Sequence, residues 1–168
     1  KDTLETHYIE KVEKGSRIKK KSDGGVKIRN VDDVLVHFGK CCNPLPGNSI
    51  VGFITRGNGV TIHTFDCQNI VEADPDRVIE ASWDLSSIHV RPVKIKVTCW
   101  DKKGLLADLS YAISKAGINI TKARVQTTLD KRASNIFEIE VKDLNQLNTI
   151  INSLKRVDGV VHVERLKT

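Results

Sequence analysis

The stretch PVKIKVTCWDKKGLLADLSYAISKAGINITKARVQT, residues 92–127, decides the fold. Val93, Ile95, Val97 and Cys99 alternate with Lys94, Lys96, Thr98 and Trp100. A period of two is that of a strand with one buried face. The period then changes. Leu105, Leu106, Leu109, Ala112, Ile113 and Ala116 fall on one stripe at helical spacing, Asp101 stands ahead of them as an expected N-cap, and Gly117 ends the run. Ile118 to Thr128 reads as a second strand, with a change of face between Ile120 and Ala123 that predicts a bulge.

Toward the C-terminus the same two periods recur. Leu129 to Arg132 is a turn, and Ile136 to Lys142 is a strand with Phe137, Ile139 and Val141 inward. Asp143 with Gln146 has the spacing of a capping box. Leu144, Leu147, Ile150, Ile151 and Leu154 then form a second helical face, Asp158-Gly159 turns the chain, and Val160 to Leu166 is the last strand. The order βαββαβ is the ferredoxin-like arrangement, two helices on one face of an antiparallel sheet.

Toward the N-terminus, Ile50 to Thr55 reads as a buried strand, Arg56-Gly57-Asn58-Gly59 as a turn, and Val60 to His63 as the returning partner. Asp66 is placed to cap a short helix reaching Glu72, Asp74-Pro75-Asp76 breaks it, and Val78 to Trp83 is a further strand. The fold class is therefore α+β: a basic linker over 1–25, a small cysteine-bearing α/β module over 26–84, a joining segment over 85–91, and the ferredoxin-like module over 92–168.

Composition bounds what such a chain can be. At 168 residues it holds two small modules, each marginal alone, and a metal staple or an interface would help both. Its first residue is Lys and it contains no Met, so it reads as a piece of a longer chain. There is no run of about 20 apolar residues to span a membrane and the N-terminus is charged, so cytoplasmic residence is expected. The net charge of +6 permits contact with RNA. Lys19, Lys20 and Lys21, with Lys40 and Arg56, are the candidate phosphate contacts, and a solvated linker fits the first three equally well. The motifs GxxxxGK[ST], GxSxG and HExxH are absent, which argues against an enzyme in its own right.

The chain has four cysteines. Cys41 and Cys42 are adjacent, twenty residues separate them from His63, and three more lead to Cys67. Three thiols and an imidazole match the donor set of a structural zinc site. Neighbouring side chains on a strand point apart, so both Cys41 and Cys42 reach one ion only if the backbone turns there; Asn43-Pro44 and Pro46-Gly47 supply turn residues. Spacing alone leaves open that the pair are small core hydrophobes or a redox couple. Cys99 lies on the inward face of its strand and reads as core.

The segment CCNPLPGNSIVGFITRGNGVTIHTFDC, residues 41–67, resembles the conserved-cysteine module, also called the zinc-finger or ribosome-intersubunit module, of long RelA/SpoT-type (p)ppGpp synthetase/hydrolases. The family pattern is close to CCxPxPGDxIxGYxTxGxGxxIHRxDC. Residues 92–168 resemble the ACT domain of those enzymes. Asn48 replaces an acidic residue of the pattern, and Thr64 replaces a common Arg, so the phosphate contact which that Arg implies is not carried over to this position.

The resemblance implies a noncatalytic C-terminal regulatory region whose parent is a GTP diphosphokinase or (p)ppGpp hydrolase with its catalytic domains elsewhere. It implies zinc on Cys41, Cys42, His63 and Cys67, recognition of a ribosome carrying uncharged tRNA through rRNA contacts, restraint of the protein's own catalytic domains, and homodimerisation. It further implies a branched-chain amino acid bound by Asp101, Gly104, Leu105, Leu106, Asn119 and Ile120. The competing expectation is an amino acid-binding ACT effector domain of a biosynthetic enzyme, which leaves the cysteine cluster without a role.

Overall fold

The computed structural model describes residues 25–29, 34–84, 86 and 89–167. The chain divides into two compact units. Lys19, Lys20 and Lys21, and the rest of the expected linker up to residue 24, lie outside the described residues.

The first unit is a five-stranded sheet: β1 (Val26–Ile28), β2 (Val36–Phe38), β3 (Ile50–Thr55), β4 (Gly59–Thr64) and β5 (Val78–Trp83), in spatial order β1-β5-β3-β4-β2. The β3–β4 hairpin is the one the Gly57-Asn58-Gly59 turn predicts, with Val51 opposite His63. β2 runs parallel to β4, with Phe38 opposite Ile62. Ile50, Val60, Ile62 and Ala81 form its buried apolar cluster. Phe38 stacks on Trp83 at 6.0 Å between ring centroids. The Trp83 indole N–H donates to the Asn48 carbonyl at 2.9 Å. One short helix, α1 (Gln68–Val71), follows the hairpin, and a 3-10 turn at Pro75–Arg77 leads into β5.

The second unit comprises Val90–Lys167 together with Leu45–Gly47. It contains β6 (Arg91–Trp100), α2 (Leu105–Lys115), β7 (Asn119–Thr127), β8 (Arg132–Val141), α3 (Leu144–Lys155) and β9 (Val160–Leu166), and its sheet order is β7-β8-β6-β9. All three strand pairings are antiparallel. This is the expected βαββαβ fold. Val93, Ile95 and Val97 of β6 and Phe137, Ile139 and Val141 of β8 are fully buried against Leu109, Ile113, Leu147, Ile150 and Leu154 of the helices. Leu45 is fully buried in the same core, and the Leu144 N–H donates to the Pro46 carbonyl at 2.9 Å. The bulge falls between Ile120 and Lys122. Asp143 accepts from the Gln146 N–H at 2.7 Å, while the Gln146 side chain accepts from the Lys142 N–H at 2.8 Å, so the expected box closes one residue further upstream than usual.

Two expected caps are corrected. Asp101 does not cap α2. Its N–H is held by the Lys131 carbonyl at 2.7 Å, which keeps it at the end of the sheet, and the helix starts four residues on from a left-handed Gly104 with φ 86°. Asp66 does not cap α1, whose N-cap is Cys67 with no side-chain bond.

Candidate metal centre

The turn that the Cys41–Cys42 pair requires is present. The Asn43 N–H donates to the Gly39 carbonyl at 2.7 Å, and Asn43 is left-handed with φ 44°. Asn accepts that conformation at low cost. In such a turn successive side chains diverge by roughly 100° instead of the 180° of a strand, so both thiols can face one centre. β4 brings His63 to that centre and the segment after it brings Cys67.

The four donor atoms lie within 4.8 Å of one another. Cys41 Sγ is 3.2 Å from His63 Nδ1 and 3.5 Å from Cys67 Sγ, and Cys42 Sγ is 3.6 Å from His63 Nδ1. A tetrahedral zinc with Zn–S bonds of about 2.3 Å separates its donors by roughly 3.8 Å. The cluster has nearly that size already. The Thr64 backbone N–H donates to Cys42 Sγ at 3.4 Å, a contact that steadies a thiolate ligand. Thr64 itself is buried. The sequence gives no sign of this bond, because every residue except proline offers the same amide.

The electrostatics fit a cation. Burial pushes the Cys41 thiol up to about 11, and its hydrogen bond to Cys67 and the negative charge of Cys42 and Cys67 push the same way. Crowded thiols with nothing to neutralise them hold their protons. A divalent ion reverses that preference outright. Burial lowers His63 below its ordinary 6.5, leaving the imidazole neutral with a lone pair to give. The same upward shift of Cys41 argues against a reactive redox thiol, which needs a depressed value. The residues therefore fit zinc. Cys99 stands apart, buried in the second unit, where it receives the Asn135 amide N–H at 3.1 Å.

The other expected site residues are dispersed. Lys40 and Arg56 are exposed, one beside the cysteine turn and the other at the β3–β4 turn. Lys27 in β1 and Arg29 just after it are in ion pairs with Asp84 at 3.3 Å and Glu80 at 2.9 Å. Asp101, Gly104, Leu105 and Leu106 gather at the start of α2, whereas Asn119 and Ile120 follow its end. An eleven-residue helix is about 16 Å long, so one chain does not bring these six together. Leu105 is buried and Leu106 exposed. The Asn119 amide donates to Glu140 at 2.8 Å.

A sheet module that carries a sulfur–imidazole cluster is followed by a ferredoxin-like module. Residues 26–84 match the RelA/SpoT RIS domain, and residues 89–165 match an ACT domain. The chain is 49% identical over 142 residues to a GTP pyrophosphokinase of Myxococcus xanthus, covering 84% of this chain and 19% of that protein. It is 37% identical over 146 residues to the bifunctional (p)ppGpp synthase/hydrolase RelA of Mycobacterium tuberculosis, covering 86% and 20%. Among solved structures, the crystal structure of the ACT domain from the GTP pyrophosphokinase of Chlorobium tepidum is similar, with 29% identity and a TM-score of 0.43 over 46% of this chain and 100% of that one. The chain belongs to the RelA/SpoT family and carries its RIS and ACT domains. It spans about a fifth of the length of the curated relatives it matches.

Proposed function

We propose that this chain is the noncatalytic regulatory region of a (p)ppGpp synthetase/hydrolase, acting in the cytoplasm as a starvation sensor through ribosome contact. The observation that carries the reading is the Cys41, Cys42, His63 and Cys67 cluster inside a RIS domain, on a chain similar to a fifth of a GTP pyrophosphokinase. Zinc on those four residues is structural: with all four positions taken by protein, no site is left for a substrate. Lys19, Lys20, Lys21, Lys40 and Arg56 supply charge toward rRNA and uncharged tRNA. No helix among the described residues is long and apolar enough to cross a membrane. The test is cosedimentation of the chain with ribosomes, with and without uncharged tRNA, over a salt series. Binding that weakens steeply with salt is expected. A chain left in the supernatant at every salt concentration sinks the reading.

A second ligand, a branched-chain amino acid, needs two copies of the chain. β7 is an edge strand with every residue but Ile120 exposed, and edge strands pair readily. Antiparallel pairing of β7 with β7 would carry Asn119 and Ile120 of a second copy toward Asp101 and Gly104 of the first. Calorimetry with valine, paired with light scattering, tests both parts: heat of binding is expected only at concentrations where the chain is dimeric.

A further inference from the structure

We propose that Gly39 is a positioning residue of the metal centre, the floor on which the His63 ring lies, so that any side chain there moves Nδ1 off the thiols. The proposal rests on the zinc reading above.

Residue 39 is tied down on both sides. Its N–H donates to the Ile62 carbonyl at 2.8 Å, which fixes it to β4 one residue before His63, and its carbonyl receives the Asn43 N–H at 2.7 Å, which fixes it to the cysteine turn. A Cβ on Gly39 would stand 2.6 Å from both Cε1 and Nδ1 of His63 and 3.1 Å from Cγ. Carbon and nitrogen atoms rest roughly 3.5 Å apart at closest comfort, so the ring would have to withdraw. One of the two atoms most encroached upon, Nδ1, is the donor that lies 3.2 Å from Cys41 Sγ and 3.6 Å from Cys42 Sγ.

The reason for glycine here differs from that at its neighbours. Gly47, Gly57 and Gly59 have φ of 100°, 82° and 77°, where any side chain is strained. Gly39 is not among the left-handed glycines. Its backbone would accept alanine, and the imidazole is what the missing Cβ makes room for. The ligand motif thus begins two residues before the first cysteine, as Gly-x-Cys-Cys followed by His63 and Cys67.

The test measures zinc affinity of the whole chain by competition with a chromophoric chelator, together with the cobalt-substituted absorption spectrum and far-ultraviolet circular dichroism. The chains are wild type, Gly39→Ala, Gly57→Ala, His63→Cys and the double change Gly39→Ala with His63→Cys. A Cβ on Gly57 meets nothing within 4 Å, so Gly57→Ala reports backbone strain without ring contact. Gly39→Ala is expected to weaken zinc binding about 10–100-fold, the range for groups that orient a ligand, while Gly57→Ala leaves it within about twofold. In the His63→Cys background the ring is gone, and Gly39→Ala should cost nothing further. Unfolding of Gly39→Ala that is cured by His63→Cys would carry the same meaning. The inference is overturned if Gly39→Ala binds zinc as wild type does, if Gly57→Ala does equal damage, or if the loss is the same in both backgrounds. Wild type that binds no zinc overturns the metal reading itself, and the inference with it.

Discussion

The two units bury apolar surface on different scales. Among the described residues the second has seventeen buried members in one core, drawn from both helices and three of its four strands together with Leu45 and Ile118. The first has four, Ile50, Val60, Ile62 and Ala81. A sheet needs something laid on its buried face. In the second unit two helices of eleven and twelve residues do this. In the first the only α-helix among the described residues has four residues and no buried member, and the unit also holds the sulfur–imidazole cluster. On the zinc reading proposed above, the chain would draw on two sources of stability, hydrophobic burial in one unit and ligation in the other.

The strongest way to break that contrast is to remove the ligation. Structural zinc contributes about 10–16 kcal/mol of apparent binding energy in small folds, more than a four-residue core is expected to offset. Chelation, or Cys42→Ser, is expected to collapse the amide spectrum of residues 36–83 and leave that of 93–163 dispersed. Persistence of the first set without metal would return the cysteines to ordinary packing. The converse experiment is Phe137→Ala, at the centre of the larger core and fully buried. It should cost about 3–5 kcal/mol, read as lost hydrogen-exchange protection over β6 and β8, with zinc content unchanged. A loss of zinc would show that the two sources are not separate.

The same contrast explains how much was legible. The second unit is written in long periodic runs, and all six of its elements are present in the expected order, although β8 starts at Arg132, four residues ahead of the expected Ile136. The first unit is not. β1 and β2 have three residues each, too short to show a period, and neither is apparent in the sequence. Leu45 lies in a Pro-rich loop between two turns. A lone leucine has no periodicity, so nothing ties it to a core whose other residues begin at Val93. The metal donors were legible as a set because Cys and His are scarce and chemically distinctive. The Thr64 amide on Cys42 was not, since it is a backbone contact. Gly104 in place of Asp101 as the α2 cap was missed because the Lys131 carbonyl, thirty residues away in sequence, claims the Asp101 N–H.

A smaller test sharpens the view that α3 depends on its own ends as well as on packing. Asp143→Ala removes the side-chain acceptor for the Gln146 N–H and should cost about 1 kcal/mol, the usual value of an N-cap. The loss should appear in denaturant unfolding as a lower midpoint with an unchanged slope. Asp143→Asn keeps the acceptor and should recover most of it. If both substitutions cost the same, charge and not capping is the contribution.

The smallest effect concerns the two faces of the second sheet. Lys96 and Glu164 pair across β6 and β9 at 3.6 Å, on the face away from the helices, with side chains 37% and 44% exposed. Solvent screens such a pair, and its worth is about 0–1 kcal/mol. Lys96→Ala in dilute monomer should therefore hardly move the unfolding midpoint, and less still at high salt. Trp100 lies on the same face, 49% exposed, with the Arg132 guanidinium 5.3 Å from its ring centroid. Repeating the Lys96→Ala measurement at increasing protein concentration turns a near-null result into a probe. A cost that grows with concentration means this face becomes covered by a second copy, since a pair taken out of water is penalised far more for losing one member. A cost that stays small at every concentration leaves the open face to solvent and confines any pairing of copies to the β7 edge.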